Sequence, residues 1–207
     1  MNSVQEAGHG SRPEGLGWMA GGLRWRPPAV LGKYRLPRGL ASWLLDDSSL
    51  TRRLQRRCHG AFRVRILDQG WRRPLEDERR ALGLRPRARA WVRQVHLLCD
   101  GRPWVYARTV IPAATLHGGQ QRLARLGERP LGAMLFADCT VRRGGLEIAR
   151  IAAGHPLFRA ALGEDAPGSA AVAAIWGRRS LFFFGTRPLL VSEIFLPALV
   201  GTSEVPR

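Results

Sequence analysis

One stretch constrains the fold of this chain more than any other: AWVRQVHLLC-DG-RPWVYARTVIP, residues 90–112. Two runs rich in β-branched and aromatic residues flank Asp100-Gly101, a dipeptide suited to the positive φ angles of a tight type I′ turn. A two-residue turn fixes the pairing of its strands, and counting back places Arg93 opposite Arg108. The stretch therefore predicts a β-hairpin and, with it, an antiparallel sheet.

The predicted pairing of Arg93 with Arg108 is unfavourable by itself, because like charges directly opposite each other on a sheet repel. A bound anion would remove that cost. Val92 and Val95 lie near Arg93 on its own strand, so its surroundings are less polar than a freely solvated face requires. A bidentate grip on a carboxylate suits such an arginine, and two solvated side chains on an exposed face are the alternative.

A second hairpin is predicted in WGRRSLFFF-GT-RPLLVSEIFLP, residues 176–197. With Gly185-Thr186 as a two-residue loop, Arg178 lies opposite Glu193. Glu193 stands in an apolar run, where a carboxylate without a partner would be costly, and the cross-strand arginine would hold it ionised. The two residues form either a structural ion pair or, at Glu193, an acceptor or acid that faces a ligand in an apolar pocket.

The remaining patterns complete an α+β domain with a meandering antiparallel sheet and a few helices. The alternation in AFRVRILDQGW predicts a strand, and TVRRGGLEIARI predicts another with a bulge at Gly144-Gly145. LASWLLDDSSLTRRLQRRC predicts two short helices with a break at Asp47-Ser48. GGQQRLARLGERPLG predicts a surface helix that ends at Gly127.

Length and composition fit one globular domain with loosely attached ends. We expect residues 1–37, which are rich in Gly, Pro and Arg, to be a mobile leader, and residues 38–200 to form the domain. Residues 151–174 are rich in alanine and glycine, and we interpret them as a partly helical insertion. Residues 201–207 are expected to be a tail.

The formal net charge of +17 favours an anionic partner, which can be nucleic acid, a membrane surface or a small acid. The cations are almost all arginine, with Lys33 as the single lysine, and they are spread along the chain. Without zinc-finger spacing, an aromatic RNA-binding signature or a compact basic block, we expect no nucleic-acid partner. No apolar run reaches the roughly 18 to 20 residues that span a bilayer, and no secretory signal is present, so a cytoplasmic protein is expected.

The three cysteines, Cys58, Cys99 and Cys139, are widely spaced and form no CxxC pair. The sequence therefore predicts neither a disulfide framework nor a metal site, and a reducing cytosol fits best. The five histidines have no metal-ligand spacing, and His96, beside Leu97 in a strand, is interpreted as structural. Dinucleotide, Walker, HExxH and GxSxG motifs are absent, which favours chemistry without a cofactor, or plain binding.

Taken together, WVRQVHLLCDGRPWVYARTVIP, ERPLGAMLF, GLEIAR with WGRRS, and RPLLVSEIFLPA resemble successive blocks of the bacterial chorismate pyruvate-lyase family. WLLDDSSLTRRL resembles its first helical block, and the likeness covers about residues 40–200 in the same order. It implies a cofactor-free lyase of ubiquinone biosynthesis that converts chorismate to 4-hydroxybenzoate and pyruvate. It also implies an antiparallel sheet flanked by helices around an enclosed ligand cavity, an architecture shared with effector-binding domains of some transcription regulators.

Carried over residue by residue, the resemblance implies that Arg93 grips the ring carboxylate and that Glu193 meets the ring hydroxyl at the far end. Leu131 matches a position that contacts the ligand through its backbone. Leu50 matches another contact position, where a methionine is familiar. Arg108 is added from the predicted hairpin pairing as a second cation.

Arg178 is expected beside the ligand because it pairs with Glu193. Glu193 either donates a proton to the departing ether oxygen or only accepts a hydrogen bond from the hydroxyl. An intramolecular proton shift that needs no protein acid is a third route, and all three stay open. A related lyase that yields 3-hydroxybenzoate and a non-catalytic aromatic-acid-binding domain are the alternative functions. Regulators with that domain normally carry a winged-helix region upstream, which the Gly-rich leader does not resemble. We expect a monomer.

Overall fold

The computed structural model describes residues 23–31, 36–163 and 172–201. Their centre is a six-stranded sheet with the order β1-β2-β3-β6-β5-β4, in which every neighbouring pair is antiparallel. The strands are β1 Phe62–Arg72, β2 Ala90–Cys99, β3 Arg102–Pro112, β4 Val141–Ala152, β5 Ala174–Phe184 and β6 Arg187–Phe195. The α+β prediction is confirmed, and the pairing of β3 with β6 brings the two predicted hairpins side by side.

Short helices cover both faces of this sheet. They are α1 Pro28–Leu31, α2 Arg38–Leu45, α3 Leu50–Arg57, α4 Glu76–Ala81, α5 Ala113–Thr115, α6 Leu131–Ala137, α7 Pro156–Leu162 and α8 Pro197–Val200. The predicted break between α2 and α3 is present, and the Ser49 side chain caps α3 by accepting from the Arg52 amide. In place of the predicted surface helix, α5 continues into a π turn at Leu116–Gln120 and a 3₁₀ turn at Gln121–Leu123.

The first hairpin turns where the sequence predicts, with φ of 48° at Asp100 and 75° at Gly101. Its strands are not paired as predicted, because the ladder skips Trp104. The preceding Pro103 has no amide proton to donate to the ladder, which makes this position suitable for a bulge.

The bulge shifts the pairing of the rest of the hairpin by one residue. Arg93 pairs with Thr109, and Arg108 pairs with Gln94. Since a shift of one residue turns a side chain to the other side of a sheet, Arg93 and Arg108 point to opposite faces. The prediction that they face each other is therefore wrong.

The second hairpin matches its predicted pairing. Gly185 adopts the positive φ of the tight turn, and Arg178 lies opposite Glu193 across β5 and β6. The predicted bulge in β4 is also present, where the pairing with β5 shifts at Gly144-Gly145. This hairpin contains no bulge, so counting from its turn gives the correct partner.

The sheet has two chemically different faces. The front face is covered by α2, α3 and α6 and carries the central side chains Arg93, Ala107, Thr109, Val191, Glu193, Arg178 and Ser180. The back face is covered by α4 and α7 and carries Gln94, Tyr106, Arg108, Ser192, Arg179 and Glu147. We call the three helices over the front face the roof.

The folded domain begins earlier than the sequence predicts. Leu31 and Leu36 are buried in the same apolar cluster as the roof, and the Arg26 backbone forms two hydrogen bonds with Ile148 of β4. Residues 23–31, 36 and 37 are therefore not a mobile leader; the rest of the predicted leader, residues 1–22 and 32–35, lies outside the described residues.

The region 151–174 is more closely integrated with the domain than an insertion would be. Both strands β4 and β5 extend into it, and α7 buries Leu157 and Phe158 against the back face. The predicted helical content is present, because α7 occupies Pro156–Leu162. Residues 164–171 and most of the predicted tail, 202–207, lie outside the described part of the chain.

Cys58 and Cys99 form a disulfide, with their Cα atoms 5.7 Å apart, so the expectation of no disulfide is wrong for this pair. Cys58 directly follows α3 and Cys99 ends β2, so the bond joins the roof to the strand that carries Arg93. A sequence separation of 41 residues gives no hint of this contact. Cys139 is exposed and free. Among the described helices, none is long and apolar enough to cross a membrane.

Candidate active site

Arg93 is a buried arginine whose charge is not neutralised by any carboxylate that the structure describes. It is 3% exposed, and its Nη2 donates to the carbonyls of Gly127 at 2.8 Å and Arg129 at 3.2 Å. Its Nε is buried without a hydrogen-bond partner. Burial lowers the pKa of Arg93 because no anion compensates the lost hydration. A buried cation in this state is well suited to bind an anion.

A second buried donor lies beside it. Trp91 stands two residues before Arg93 on the same strand and face, and its indole Nε1 has no hydrogen-bond partner. Within residues 23–31, 36–163 and 172–201, Trp91 Nε1 and Arg93 Nε are the two buried side-chain atoms in this condition. Because buried donors are rarely left unpaired, the pair marks this end of the front face as a place for a polar ligand group.

Glu193 lies on the same face and holds the predicted ion pair. Arg178 Nε donates to Glu193 Oε2 at 2.6 Å, and the side chains are 1% and 19% exposed, respectively. Arg178 Nη1 also donates to the carbonyls of Trp43 and Asp46, which fixes the arginine under the roof. Glu193 Oε1 accepts no hydrogen bond from the described residues, so it is available to a ligand.

Pairing across the sheet defines the distance between the two groups. Arg93 pairs with Thr109 and Thr109 with Val191, and Glu193 lies two residues further along β6. With strands about 4.8 Å apart and about 3.4 Å per residue, the two Cα atoms are about 12 Å apart. The front-face residues between them include the small Ala107 and Thr109, and the two long side chains extend over them from either end. This spacing suits a single aromatic ring between a guanidinium and a carboxylate.

The expected enclosed cavity is present only in part. A cavity of about 10 Å³, enough for one water molecule, lies at the Glu193 end. Its lining consists of Ser48, Phe136, Arg143, Arg178, Ser180, Phe182, Val191 and Glu193. The cavity does not reach Arg93, whose guanidinium is turned to the carbonyls of Gly127 and Arg129. A ring-sized ligand does not fit in this cavity.

Leu50 and Leu131 lie in the roof at the starts of α3 and α6, and both are buried. The two helix starts approach closely, because a Cβ on Gly132 would lie 3.0 Å from Thr51 Oγ1. The first amides of a helix have no partner within it, so the Leu131 N–H is open to the backbone contact that the sequence predicts. Pro130 precedes α6 directly, so Leu131 is the first residue of this helix.

Arg108 does not belong to this group of residues. It lies on the back face, where Nε and Nη2 donate to the two oxygens of Glu78 at 2.6 and 3.0 Å. Glu78 also accepts from the Leu75 amide at 2.8 Å. Burial alone would lower the pKa of Arg108, but the hydrogen bonds and charge of Glu78 raise it. Arg108 is therefore a structural cation, and the expectation of a second cation beside Arg93 does not hold.

Arg143 is a cavity residue that the sequence did not reveal. Its Nε donates to Ser180 Oγ at 3.1 Å, its Nη1 donates to the Asp47 carbonyl, and it lines the cavity beside Glu193. It lies next to the predicted bulge in β4, but the position of β4 beside β5 follows from no short turn. The sequence therefore indicated only the bulge and did not indicate which strand pairs with β4.

A larger open groove of about 460 Å³ lies on the other side of the sheet. It is lined by the N-terminal segment Leu23–Arg26 together with Asp77, Arg80, Ala81 and Arg179. Its buried cation, Arg179, already pairs with Asp77 and Glu147, and Trp25 Nε1 also donates to Asp77. The groove therefore offers no free buried cation comparable with Arg93.

Comparison with solved structures finds transcriptional regulators at low similarity. A GntR-family transcriptional regulator from Bacillus cereus gives a TM-score of 0.47 at 10% identity, covering 70% of this chain and 96% of that chain. The effector domain of PhnF from Mycobacterium smegmatis gives a TM-score of 0.42 at 14% identity, covering 67% of this chain and 82% of that chain.

Comparison with curated sequences and family models is more specific. "Probable chorismate pyruvate-lyase" of Methylococcus capsulatus is 46% identical over 167 residues, covering 80% of this chain and 99% of the relative. The protein of the same name from Azoarcus sp. is 44% identical over 193 residues, covering 93% of this chain and 96% of the relative. A family model described as "Chorismate lyase" matches residues 23–205. The chain therefore belongs to the chorismate lyase family.

Proposed function

We propose that this chain is a chorismate pyruvate-lyase, which releases pyruvate and 4-hydroxybenzoate from chorismate. One observation carries the proposal: Arg93 is a buried guanidinium without a described counter-ion, on the same sheet face as the partly free carboxylate of Glu193. The names of the relatives supply the substrate, and the front face supplies groups that fit it.

In this proposal Arg93 binds the ring carboxylate. The carboxylate neutralises the buried charge and supplies the acceptor that Nε lacks, a charge-assisted contact that a buried arginine makes well. The ring lies over Ala107 and Thr109, and its hydroxyl reaches Glu193 Oε1 at the other end. The formal charge of +17 raises the encounter rate with a dianion through the field of the whole protein.

The reaction breaks the bond between the ring and the ether oxygen. The ring carbon that carries the hydroxyl loses its hydrogen as a proton, the ring becomes aromatic, and the departing enolpyruvate gains a proton to become pyruvate. Aromatisation supplies the driving force, so the protein acts mainly by holding the reactive conformer and excluding water. Glu193, ion-paired with Arg178, acts as a hydrogen-bond acceptor for the hydroxyl in this scheme.

Access to the site depends on the roof. The cavity at Glu193 is the size of one water molecule, and Leu50 and Leu131 are buried at the starts of α3 and α6 in the roof. We propose that α3 and α6 move apart to admit chorismate and close again over the ring. Closure removes bulk water, which strengthens the contact with Arg93.

The test is direct. Purified protein at micromolar concentration is mixed with chorismate, pyruvate is followed with a coupled dehydrogenase, and the aromatic product is identified by chromatography. Pyruvate and 4-hydroxybenzoate in equal amounts are expected. Absence of pyruvate would defeat the proposal, and 3-hydroxybenzoate as the product would replace it with the related lyase.

The variant Glu193→Gln distinguishes a positioning role from an obligatory acid. Glutamine keeps the shape and one acceptor oxygen but cannot transfer a proton. We expect kcat to fall by about 10- to 100-fold, as for the loss of one charged hydrogen bond. A loss of several thousandfold in a correctly folded variant would make Glu193 the proton-transfer group instead.

A further inference from the structure

Arg143 is a second cation at the front face whose charge is not balanced by an ion pair among the described residues. Its Nε donates to the neutral hydroxyl of Ser180 at 3.1 Å, and its Nη1 donates to the backbone carbonyl of Asp47. Its Nη2 donates no hydrogen bond to any residue of the described ranges. The guanidinium therefore keeps three donor protons, one on Nη1 and two on Nη2, and a full charge for a partner outside the described residues.

The surroundings of Arg143 are those of a binding group. It is partly buried, and its guanidinium carbon lies 5.5 Å from the ring centre of Phe182 and 5.8 Å from that of Phe136. All three residues line the same cavity as Glu193. Burial lowers the pKa of Arg143, and the nearby charge of Glu193 only partly opposes that effect.

The other buried arginines near the sheet centre already have carboxylate partners. Arg108 pairs with Glu78 and Arg179 with Asp77 and Glu147, both on the back face. Arg178 is on the front face, but Glu193 neutralises it. Arg93 is unpaired, but it stands at the opposite end of the site from Glu193.

The chemistry of the substrate determines where a second cation must lie. Chorismate carries two carboxylates, one on the ring and one on the enolpyruvyl group. The ether oxygen is attached to the ring carbon next to the one that bears the hydroxyl. If Glu193 contacts the hydroxyl, the enolpyruvyl carboxylate lies near the Glu193 end, where Arg143 lines the cavity.

We propose that Arg143 binds the carboxylate of the enolpyruvyl group and thereby distinguishes the dianionic substrate from the monoanionic aromatic product. The inference rests on the proposed function and adds the residue that recognises the leaving group. Cleavage then frees that carboxylate from the ring, so that Arg143 holds pyruvate and Arg93 holds 4-hydroxybenzoate.

The test compares two ligands in one variant, Arg143→Gln. We expect KM for chorismate to rise about 100-fold, since a partly buried charge-assisted contact is lost. The Kd of 4-hydroxybenzoate, measured by calorimetric titration, should change less than about threefold, because this ligand lacks the second carboxylate. Arg143→Lys should restore part of the lost affinity, because it returns the charge without the bidentate geometry.

Arg142→Gln is the matched control, because Arg142 is the preceding residue of β4, is exposed and lies over the Phe183 ring. It should leave both constants unchanged. Thermal melts identify any variant that does not fold, and the Arg143→Lys variant then carries the test. An equal loss of affinity for both ligands in Arg143→Gln, or an unchanged KM for chorismate, would overturn the proposal.

Different results would overturn the lyase proposal and the proposed role of Arg143. Pyruvate release by the wild type with no effect of Arg143→Gln on KM overturns the role of Arg143 and leaves the lyase intact. Binding of chorismate without pyruvate release overturns the lyase, and the ratio of chorismate to 4-hydroxybenzoate affinity in the variant still tests Arg143. A wild type that binds no chorismate overturns both.

Discussion

Arg93 and Arg108 lie in the same hairpin and are almost equally buried, at 3% and 8% exposure, but their chemistry is opposite. Arg108 has a bidentate carboxylate partner in Glu78, which raises its pKa against the effect of burial. Arg93 has only carbonyl partners, and burial lowers its pKa. Burial alone therefore does not distinguish a structural cation from a binding one; the presence of a built-in counter-ion does.

The two faces of the sheet differ in the same way, by whether their arginines have carboxylate partners. On the back face a polar row crosses the sheet in register, from Gln94 through Arg108, Ser192 and Arg179 to Glu147. Its arginines pair with carboxylates, so the row holds the sheet to α4 and is complete without a ligand. On the front face Arg93 and Arg143 lack such partners among the described residues, which leaves two positive charges for the two carboxylates of a dianion.

The strongest effect is expected on the front face of the sheet. Arg93→Gln should reduce kcat/KM by about a thousandfold, because the ring carboxylate loses its buried cation. The free energy of unfolding should not fall, since the variant removes an unpaired buried charge. Pyruvate release and urea denaturation measure the two quantities. Arg63→Ala is the control, because Arg63 is exposed on β1. Equal activity losses at both positions would refute the site.

On the back face, Glu78→Gln leaves Arg108 buried without a carboxylate partner. We expect the free energy of unfolding to fall by about 3 kcal/mol, while kcat of the folded fraction is retained. Replacing both residues, Glu78→Leu with Arg108→Met, should recover much of that loss, because no unpaired charge remains. Urea denaturation followed by tryptophan fluorescence provides the measurement. A strong loss of kcat without a loss of stability would move Arg108 into the active site.

A smaller effect is expected at the bond that joins the roof to β2. Reduction of Cys58–Cys99, or Cys58→Ser, should lower the free energy of unfolding by about 2 kcal/mol, because the bond closes a loop of 41 residues. The exposed Cys139 provides the control, since Cys139→Ser should change nothing. Melts with and without dithiothreitol measure the difference, and identical melts would mean that the bond does not form in solution.

The smallest effect concerns pH and the loop between α2 and α3. Burial would raise the pKa of Asp46, but hydrogen bonds from Ser48 and the ion pair with Arg53 lower it to about 2. The folded state thus favours the ionised carboxylate, so its contribution is complete above pH 4 and is lost as pH falls towards 2. We expect Asp46→Asn to lose about 1 kcal/mol at pH 7, after allowance for solvent screening, and much less near pH 2. Denaturation at both pH values measures the loss of unfolding free energy. An equal loss at pH 7 and near pH 2 would contradict the lowered pKa of Asp46.

Some parts of this site were predictable because a tight turn specifies them. The turn at Gly185 is followed by regular pairing, so the partnership of Arg178 with Glu193 follows from counting residues. The same counting failed for Arg93 and Arg108, because a bulge at Trp104 shifts the ladder, and the neighbouring Pro103 permits a bulge without specifying one. One extra residue thus decides which arginine shares a sheet face with Glu193.

Other parts depend on contacts distant in sequence. The disulfide needs α3 to end against β2, and the cavity contact of Arg143 needs β4 to pair with β5 across a long connection. Neither arrangement follows from local periodicity. The early start of the domain has a similar cause, since Leu31 and Leu36 are held by the roof cluster and lie in a segment rich in Gly, Pro and Arg.

A crystal structure of the protein with 4-hydroxybenzoate tests directly whether Arg93 and Glu193 bind the two ends of the ring. We expect the ligand carboxylate within hydrogen-bond distance of the Arg93 guanidinium and its hydroxyl at Glu193, with the roof displaced outward around the ring. A ligand bound in the back-face groove, or one whose carboxylate lies far from Arg93, would contradict the account.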